Sequence, residues 1–299
     1  MKAIYTVLLV AGLVWAGCGK SDPKAGGSAQ KSLTTEEVLR GMQKNCKAEL
    51  DKINSYALVL EEDATLYAQK MTAAGTQTSR LEYRLAQRTA GREVPVGDKN
   101  IYEMFDRASC AAMTDSTIKN LAKRVQLKGV QKVDGSDAYV LSMQPTDLGK
   151  LGSLSFENMP KTAKISNVEV AIDASRFMLR QIKSQITEKI KNQDRTATVT
   201  SSWRNYKDIK GIQIPFETIL LMEGTGIGLT DAEKAQIKAE IDRNKQMLSQ
   251  IPDKTQQEQM RKMLERNEQQ LAKTTADRVE QGLKLTGAKV NETIPMGIF

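Results

Sequence analysis

Histidine is absent from all 299 residues. That excludes Ser-His-Asp and Cys-His catalysis and every histidine-based metal site, and it removes the commonest acid or base near neutral pH. Aromatic residues are sparse at 5%, which argues against gripping single-stranded nucleic acid by base stacking. There are three cysteines and no C-x-x-C pair, so a cysteine metal site is disfavoured. The chain also lacks G-x-S-x-G, a Walker loop and G-x-G-x-x-G. Only residues 3–15 form a long apolar run, and no second run approaches the ~20 residues that cross a bilayer. These absences point to a non-enzymatic protein without metal or cofactor.

What is present begins at the N-terminus. Lys2 gives a positive start, Ala3 to Trp15 is apolar or small apart from Thr6, and Ala16-Gly17 places two small residues before Cys18. The apolar run suits a signal-peptide core of roughly 7–15 residues. The segment resembles a bacterial lipoprotein signal; the alternative is an ordinary signal with a chance cysteine. The resemblance implies removal of residues 1–17 and acylation of Cys18, with chains such as palmitate. Each buried methylene adds about 0.8 kcal/mol of membrane affinity, so several chains make a stable anchor. Gly19 stands where an aspartate would retain a lipoprotein at the inner membrane, which implies an outer-membrane protein facing the periplasm. Residues 18–32, rich in Gly, Ser, Ala and Lys, read as a flexible tether.

The formal charge of +8 is uneven: residues 229–280 balance ten bases with ten acids, whereas 176–210 hold nine bases against three acids. The basic stretch suits anionic lipid headgroups at about 1 kcal/mol per charge, or simply solvated strand faces. Cys46 and Cys110 remain after Cys18. In an oxidising compartment a disulfide is the natural reading, the other being two separately buried small apolar residues.

Thr34 and Glu37 form a capping-box pattern ahead of a helix over 35–52, with Val38, Leu39, Met42, Cys46 and Leu50 on one side. Ile53–Glu62 is rich in β-formers, and Leu81, Tyr83 and Leu85 alternate with charged residues. Lys70–Ser79 between them reads as a loose connection. Residues 100–123 turn helical, with Ile101, Met104, Phe105 and Ala108 as a stripe and Thr114 or Asp115 as a cap. Hairpins follow. Val125–Lys132 meets Asp137–Met143 across Asp134-Gly135, a pair suited to a type I′ turn. Val168–Ile172 returns through Phe177–Ile182, Thr196–Tyr206 through Ile212–Leu221, and Val279–Val290 closes the set. About nine antiparallel strands are expected. The segment 229–275 breaks the pattern with two capped helices joined near Pro252, an antiparallel helical hairpin inserted between strands. It suits a projecting structural arm, a partner-binding arm or a membrane-surface helix. Gly224, Gly226 and Gly228 read as a hinge before it, and the sequon at Asn291 is irrelevant in a bacterial lipoprotein.

The strand motifs carry a resemblance. Val133-Asp134-Gly135-Ser136-Asp137-Ala138-Tyr139-Val140-Leu141, the stretch Trp203 to Pro215 with Tyr206 and Gly211, and the ending Val290 to Phe299 with Asn291 and Pro295 are similar to hairpins of the lipoprotein-sorting (LolA/LolB-like) superfamily, in family order. The resemblance covers roughly 125–299, and its motifs are mostly turn chemistry. It implies an α+β fold, mainly antiparallel β, in which residues 33–299 form a curved open barrel wrapped on short helices around an apolar cavity for acyl chains. Candidate cavity residues are Leu58 and Leu60, Tyr83 and Leu85, and Ile219 and Leu221, because each pair shares one side of its strand. The expected function is binding or transfer of a lipid or lipidated protein. The alternative is a structural or sensing module that holds an envelope protein through its helical hairpin.

Overall fold

Thr34 caps the first described helix: its hydroxyl accepts from Glu37 N at 3.3 Å while the Glu37 carboxylate accepts from Thr34 N at 2.7 Å. This reciprocal cap satisfies two of the helix's orphan donors and opens α1 (Thr35–Lys52). A computed structural model describes residues 33–60, 64–72, 79–89, 92–97, 108–148, 151, 163–190, 193–225 and 228–299. The expected signal 1–17, Cys18, the expected tether 18–32, connection residues 73–78 and stripe residues Ile101, Met104 and Phe105 lie outside the described residues.

After α1 come β1 (Ser55–Leu60), β2 (Ala64–Thr72), β3 (Ser79–Thr89) and β4 (Arg92–Gly97). The short helices α2 (Ala108–Ala111) and α3 (Asp115–Ala122) follow, then β5 (Gln126–Val133), β6 (Ser136–Met143) and α4 (Pro145–Leu148). The long strands are β7 (Lys164–Asp173), β8 (Leu179–Ile190), β9 (Gln193–Ile209) and β10 (Ile212–Glu223). Two helices, α5 (Asp231–Met247) and α6 (Lys254–Lys273), precede β11 (Arg278–Val290).

Among the described residues eleven strands form one antiparallel sheet in the order β4-β3-β2-β1-β11-β10-β9-β8-β7-β6-β5. The protein is thus α+β and mainly antiparallel, and its sheet is open, with β4 and β5 at the ends. The expected nine strands become eleven because β2 and β4 read poorly. β2 includes Lys70, Met71 and Thr72 of the supposed loose connection. β4 carries Pro95, tolerated because this strand pairs only with β3.

The tight turns follow residue chemistry. Asp134 and Gly135 adopt φ of 48° and 78°, and Lys210 and Gly211 adopt 55° and 78°, the left-handed values that two-residue hairpins need. β5 is interrupted by a register shift between Leu127 and Gly129, where Gly129 holds φ 104°.

Two apolar clusters pack against one face of the sheet, and α1 bridges them. Val38, Leu39, Met42 and Cys46 join Ile118 and Leu121 of α3 and Leu141, Val170, Ile182 and Trp203 of the sheet. Further along, Leu50 and Ile53 join Tyr56, Leu58, Leu66 and Tyr83 on one flank and Ile212, Ile214, Phe216 and Leu285 on the other. Burying each large side chain contributes about 1.5–3 kcal/mol.

Three local devices fix α1. Gly41 leaves room for the Phe177 ring, which would stand 2.4 Å from any Cβ at that position. Cys46 and Cys110 are bonded, with Sγ–Sγ 2.16 Å and Cα–Cα 6.0 Å, tying α1 to α2. Asn291, at φ 56°, accepts from Asn54 N at 2.7 Å and donates to Lys52 O at 2.7 Å, clasping the helix exit to the end of β11.

Candidate functional site

The register of β8–β11 decides which side chains share the inner, helix-covered face. Trp203 lies in the first cluster and pairs across to Thr218, and Thr218 pairs with Leu283, which packs on the second cluster. Alternation then places Leu220 and Met222 of β10 and Ser201 and Val199 of β9 on that same face. Ile182 and Ser184 of β8 pair with Ser201 and Val199 and extend the face sideways. Burial is uneven along it: Ser184 and Val279, which pair with Val199 and Met222, are 3% and 1% exposed. Trp203 is 2% exposed and Ser201 6%, whereas Val199, Ile186, Leu220, Met222 and Leu283 are half-buried. The result is a sheet face that stays mainly apolar beyond Trp203, interrupted by Ser184 and Gln281, with a buried indole and hydroxyls where the two zones meet.

The six sequence-predicted cavity residues divide. Leu58 and Tyr83 are buried in the second cluster, and Leu60 and Leu85 are half-buried against it. Leu58 pairs with Leu66, which pairs with Leu85, forming one apolar row across three strands. Ile219 and Leu221 do not join them. They pair with Gly282 and Glu280 and project from the opposite face, because Thr218 and Phe216 set the even positions of β10 inward. The residues sequence reasoning missed are Leu66, Leu220, Met222 and Leu283. Leu66 had a local signal, lying among β-formers in Ala64–Thr72, and Leu220 and Met222 continue the even parity of Ile212, Ile214 and Phe216.

The charged residues are largely engaged elsewhere. Asp173 is 3% exposed and accepts Arg180 Nε at 2.9 Å, Ser175 Oγ at 2.6 Å and Arg176 N at 2.8 Å. Burial pushes its carboxyl up, but the hydrogen bonds from Ser175, Arg180 and the Arg176 amide outweigh that and hold it below the usual carboxylate range. Arg204 pairs with Asp134, Lys210 donates to Val290 O at 2.8 Å, and Lys207 stands 4.0 Å over the Phe216 ring. The basic stretch 176–210 is therefore in good part internal ion pairs, hydrogen bonds and cation–π contacts rather than a free cationic surface.

No family model, curated protein or solved structure matches the chain. The resemblance to lipoprotein-sorting proteins consequently rests on the hairpin motifs alone.

Among the described residues no group of His, Cys, Asp or Glu is arranged to hold a metal ion, and no helix is long and apolar enough to cross a membrane. A groove of about 490 Å³ lies between the β1–β2 end and the C-terminal tail, lined by Asn54, Ser55, Gln69 and residues 292–297 and Phe299. Another of about 420 Å³ is lined by Thr117, Asn120, Lys123 and Arg124. Neither includes any of the six cavity candidates.

The glycine-rich stretch has a structural explanation. A Cβ at Gly224 would stand 2.4 Å from Thr196 O, and one at Gly228 1.7 Å from Thr275 O. Gly224 N donates to Asp277 O at 2.9 Å and Gly228 N to Ala276 O at 3.0 Å. The described glycines are there for close backbone approach at the root of α5 and α6, not for cradling phosphate. Gly226 and Ile227 lie outside the described residues. Between the two helices, Glu268 accepts Lys245 Nζ at 2.5 Å and Lys238 Nζ at 3.5 Å, and Ile241 and Leu264 are buried. α6 meets the sheet at its C-terminal end, where Gln270 donates to Glu280 O at 2.8 Å.

Proposed function

We propose that this chain is a lipid-anchored, non-enzymatic envelope protein that binds or transfers acyl chains, or lipidated proteins, on the inner face of its open sheet. On this reading Cys18 carries the anchor in the outer membrane, the domain faces the periplasm, and the sheet curves as an incomplete barrel around α1–α3. The observation that carries the proposal is the inner face beyond Trp203, where Val199, Ile186, Leu220, Met222 and Leu283 remain half-buried although apolar. An acyl chain gains roughly 25 cal/mol for each Å² of apolar surface it removes from water. The bonded Cys46–Cys110 pair supports an oxidising compartment. The test is native mass spectrometry of protein purified from membranes: a mass increment matching one or more acyl lipids is expected beyond the covalent anchor. Ligand-free protein that also takes up no added lipid would overturn the reading.

A second reading has its own observation. Met247, Met260 and Met263 of α5 and α6 are 45%, 38% and 44% exposed. If α5 and α6 form a hairpin arm for an envelope protein partner, crosslinkers placed on these positions should capture one defined protein in cells.

A further inference from the structure

Trp203 is among the largest fully buried side chains, at 2% exposure, yet its Nε1 has no hydrogen-bond partner among the described residues. Buried indole N–H groups normally find an acceptor, because leaving one without costs the full desolvation of the donor. Its place in the sheet suggests what the acceptor is. Thr218 faces Trp203 across the β9–β10 pair, and Ser201 lies two residues along on the same face, 4% and 6% exposed. Polar groups therefore gather where the dense core gives way to the half-buried apolar surface of Val199, Leu220 and Met222. Binding sites for apolar ligands are built in this way, with a few placed polar groups fixing the orientation of a greasy molecule.

The charge of the surroundings narrows the ligand. Lys183 of β8 pairs with Thr200, placing it on the opposite face, and the Arg180 guanidinium is already bonded to Asp173. Lys207 is held over the Phe216 ring, so an anionic phosphate or free carboxylate at Trp203 would be a buried charge competing for cations that already have partners, at a cost of several kcal/mol. A neutral carbonyl suffers no such penalty.

We propose that Trp203 Nε1, with the Thr218 and Ser201 hydroxyls beside it, forms a seat for the carbonyl of an acyl ester. The inner face then distinguishes esterified glycerol lipids from hydrocarbon chains of the same length. This inference rests on the lipid-binding reading above and names the chemical class that the face selects.

The chain supplies its own probe. Trp15 and Trp203 are the two tryptophans, and Trp15 lies in the segment that the proposed maturation removes, so in the mature protein beginning at Cys18 all indole emission comes from the proposed seat. That protein is titrated with 1,2-dioctanoylglycerol and with its diether twin, 1,2-di-O-octylglycerol, followed by fluorescence and calorimetry. Both should bind, the diester about three- to tenfold more tightly, the worth of one well-made neutral hydrogen bond. Only the diester should shift the indole emission. Thr218→Val should reduce the preference, and Trp203→Phe should bring the affinity ratio to about one by calorimetry. If Trp203→Phe fails to fold, the emission shift and Thr218→Val decide. Equal affinities for the two probes, or a diester preference that survives both substitutions, would overturn the ester seat and leave the lipid-binding reading standing. Binding of neither probe would overturn the lipid-binding reading itself.

Discussion

At Gly41 the absent side chain is what holds α1 against the β7–β8 turn. The Phe177 ring occupies the space a Cβ would need, its backbone sits at φ 54°, and it stacks on Tyr139 with centroids 6.1 Å apart. Gly41→Ala should therefore cost stability, about 1–2 kcal/mol net of the alanine's better helix propensity, measured by urea unfolding. Combining it with Phe177→Ala should recover part of the loss, since the two sites share one contact. Asp173 gives a pH-dependent counterpart. Its carboxyl is held low in the folded state, so its contribution is present above the usual carboxylate range and is lost as pH falls through the folded value. Asp173→Asn should be less stable than the parent at neutral pH, and the gap should narrow as pH falls below the usual carboxylate range. Single residues also show where sequence reading ran out. Ile219, Leu220, Leu221 and Met222 are four apolar residues in a row. The row itself does not alternate, but Ile212, Ile214 and Phe216 just before it do, and their even parity, carried through the pairing of Thr218 with Trp203, turns Leu220 and Met222 inward.

Whole elements were more legible than faces. α1 announced itself through Thr34 and Glu37 and through apolar residues at helical spacing, and its bounds agree with the expectation. α5 likewise begins at a capping box between Thr230 and Glu233, and α6 at Asp253, which accepts from Thr255 N and Gln256 N. β2 and β4 were illegible because their strand character comes from neighbours: β2 is held between β1 and β3, and β4 stands at an end with a proline in it. Glu223 pairs with Arg278, so the two ends of the α5–α6 segment leave the sheet side by side. Replacing Leu229–Thr275 by a short Gly-Ser turn should leave a cooperatively folding sheet, because closing a surface loop of either length costs similar entropy. Loss of a cooperative denaturation curve in that variant would show the segment to be part of the core. The bond between α1 and α2 spans 64 residues. In the chain-entropy model it contributes roughly 4 kcal/mol, so Cys46→Ser/Cys110→Ser should lower stability by about that amount, and by more than reagent-induced changes at the surface.

For the molecule as a whole, the membrane attachment is the first thing to test. Labelled palmitate should enter the parent chain in cells and not Cys18→Ser, and equal incorporation in both would remove the anchor. An open sheet must also protect its ends from pairing with other chains. β5 does so with a bulge at Gly129 and with Lys128 and Lys132, the latter paired to Asp137 at 2.9 Å, and β4 does so with Pro95.

The sheet is joined in its middle by the first strand and the last. β1 meets β11 from Tyr56↔Val290 onward, so the central seam unites residues separated by almost the whole domain. A chain emerging from a ribosome or an export channel cannot close that seam until Arg278–Val290 is free. Until then β1 and β10 each present a raw edge at the centre of the structure. The two parts of the sheet therefore stay unjoined until β11 is available, and a product that stops before Arg278 leaves β1 and β10 without their shared neighbour.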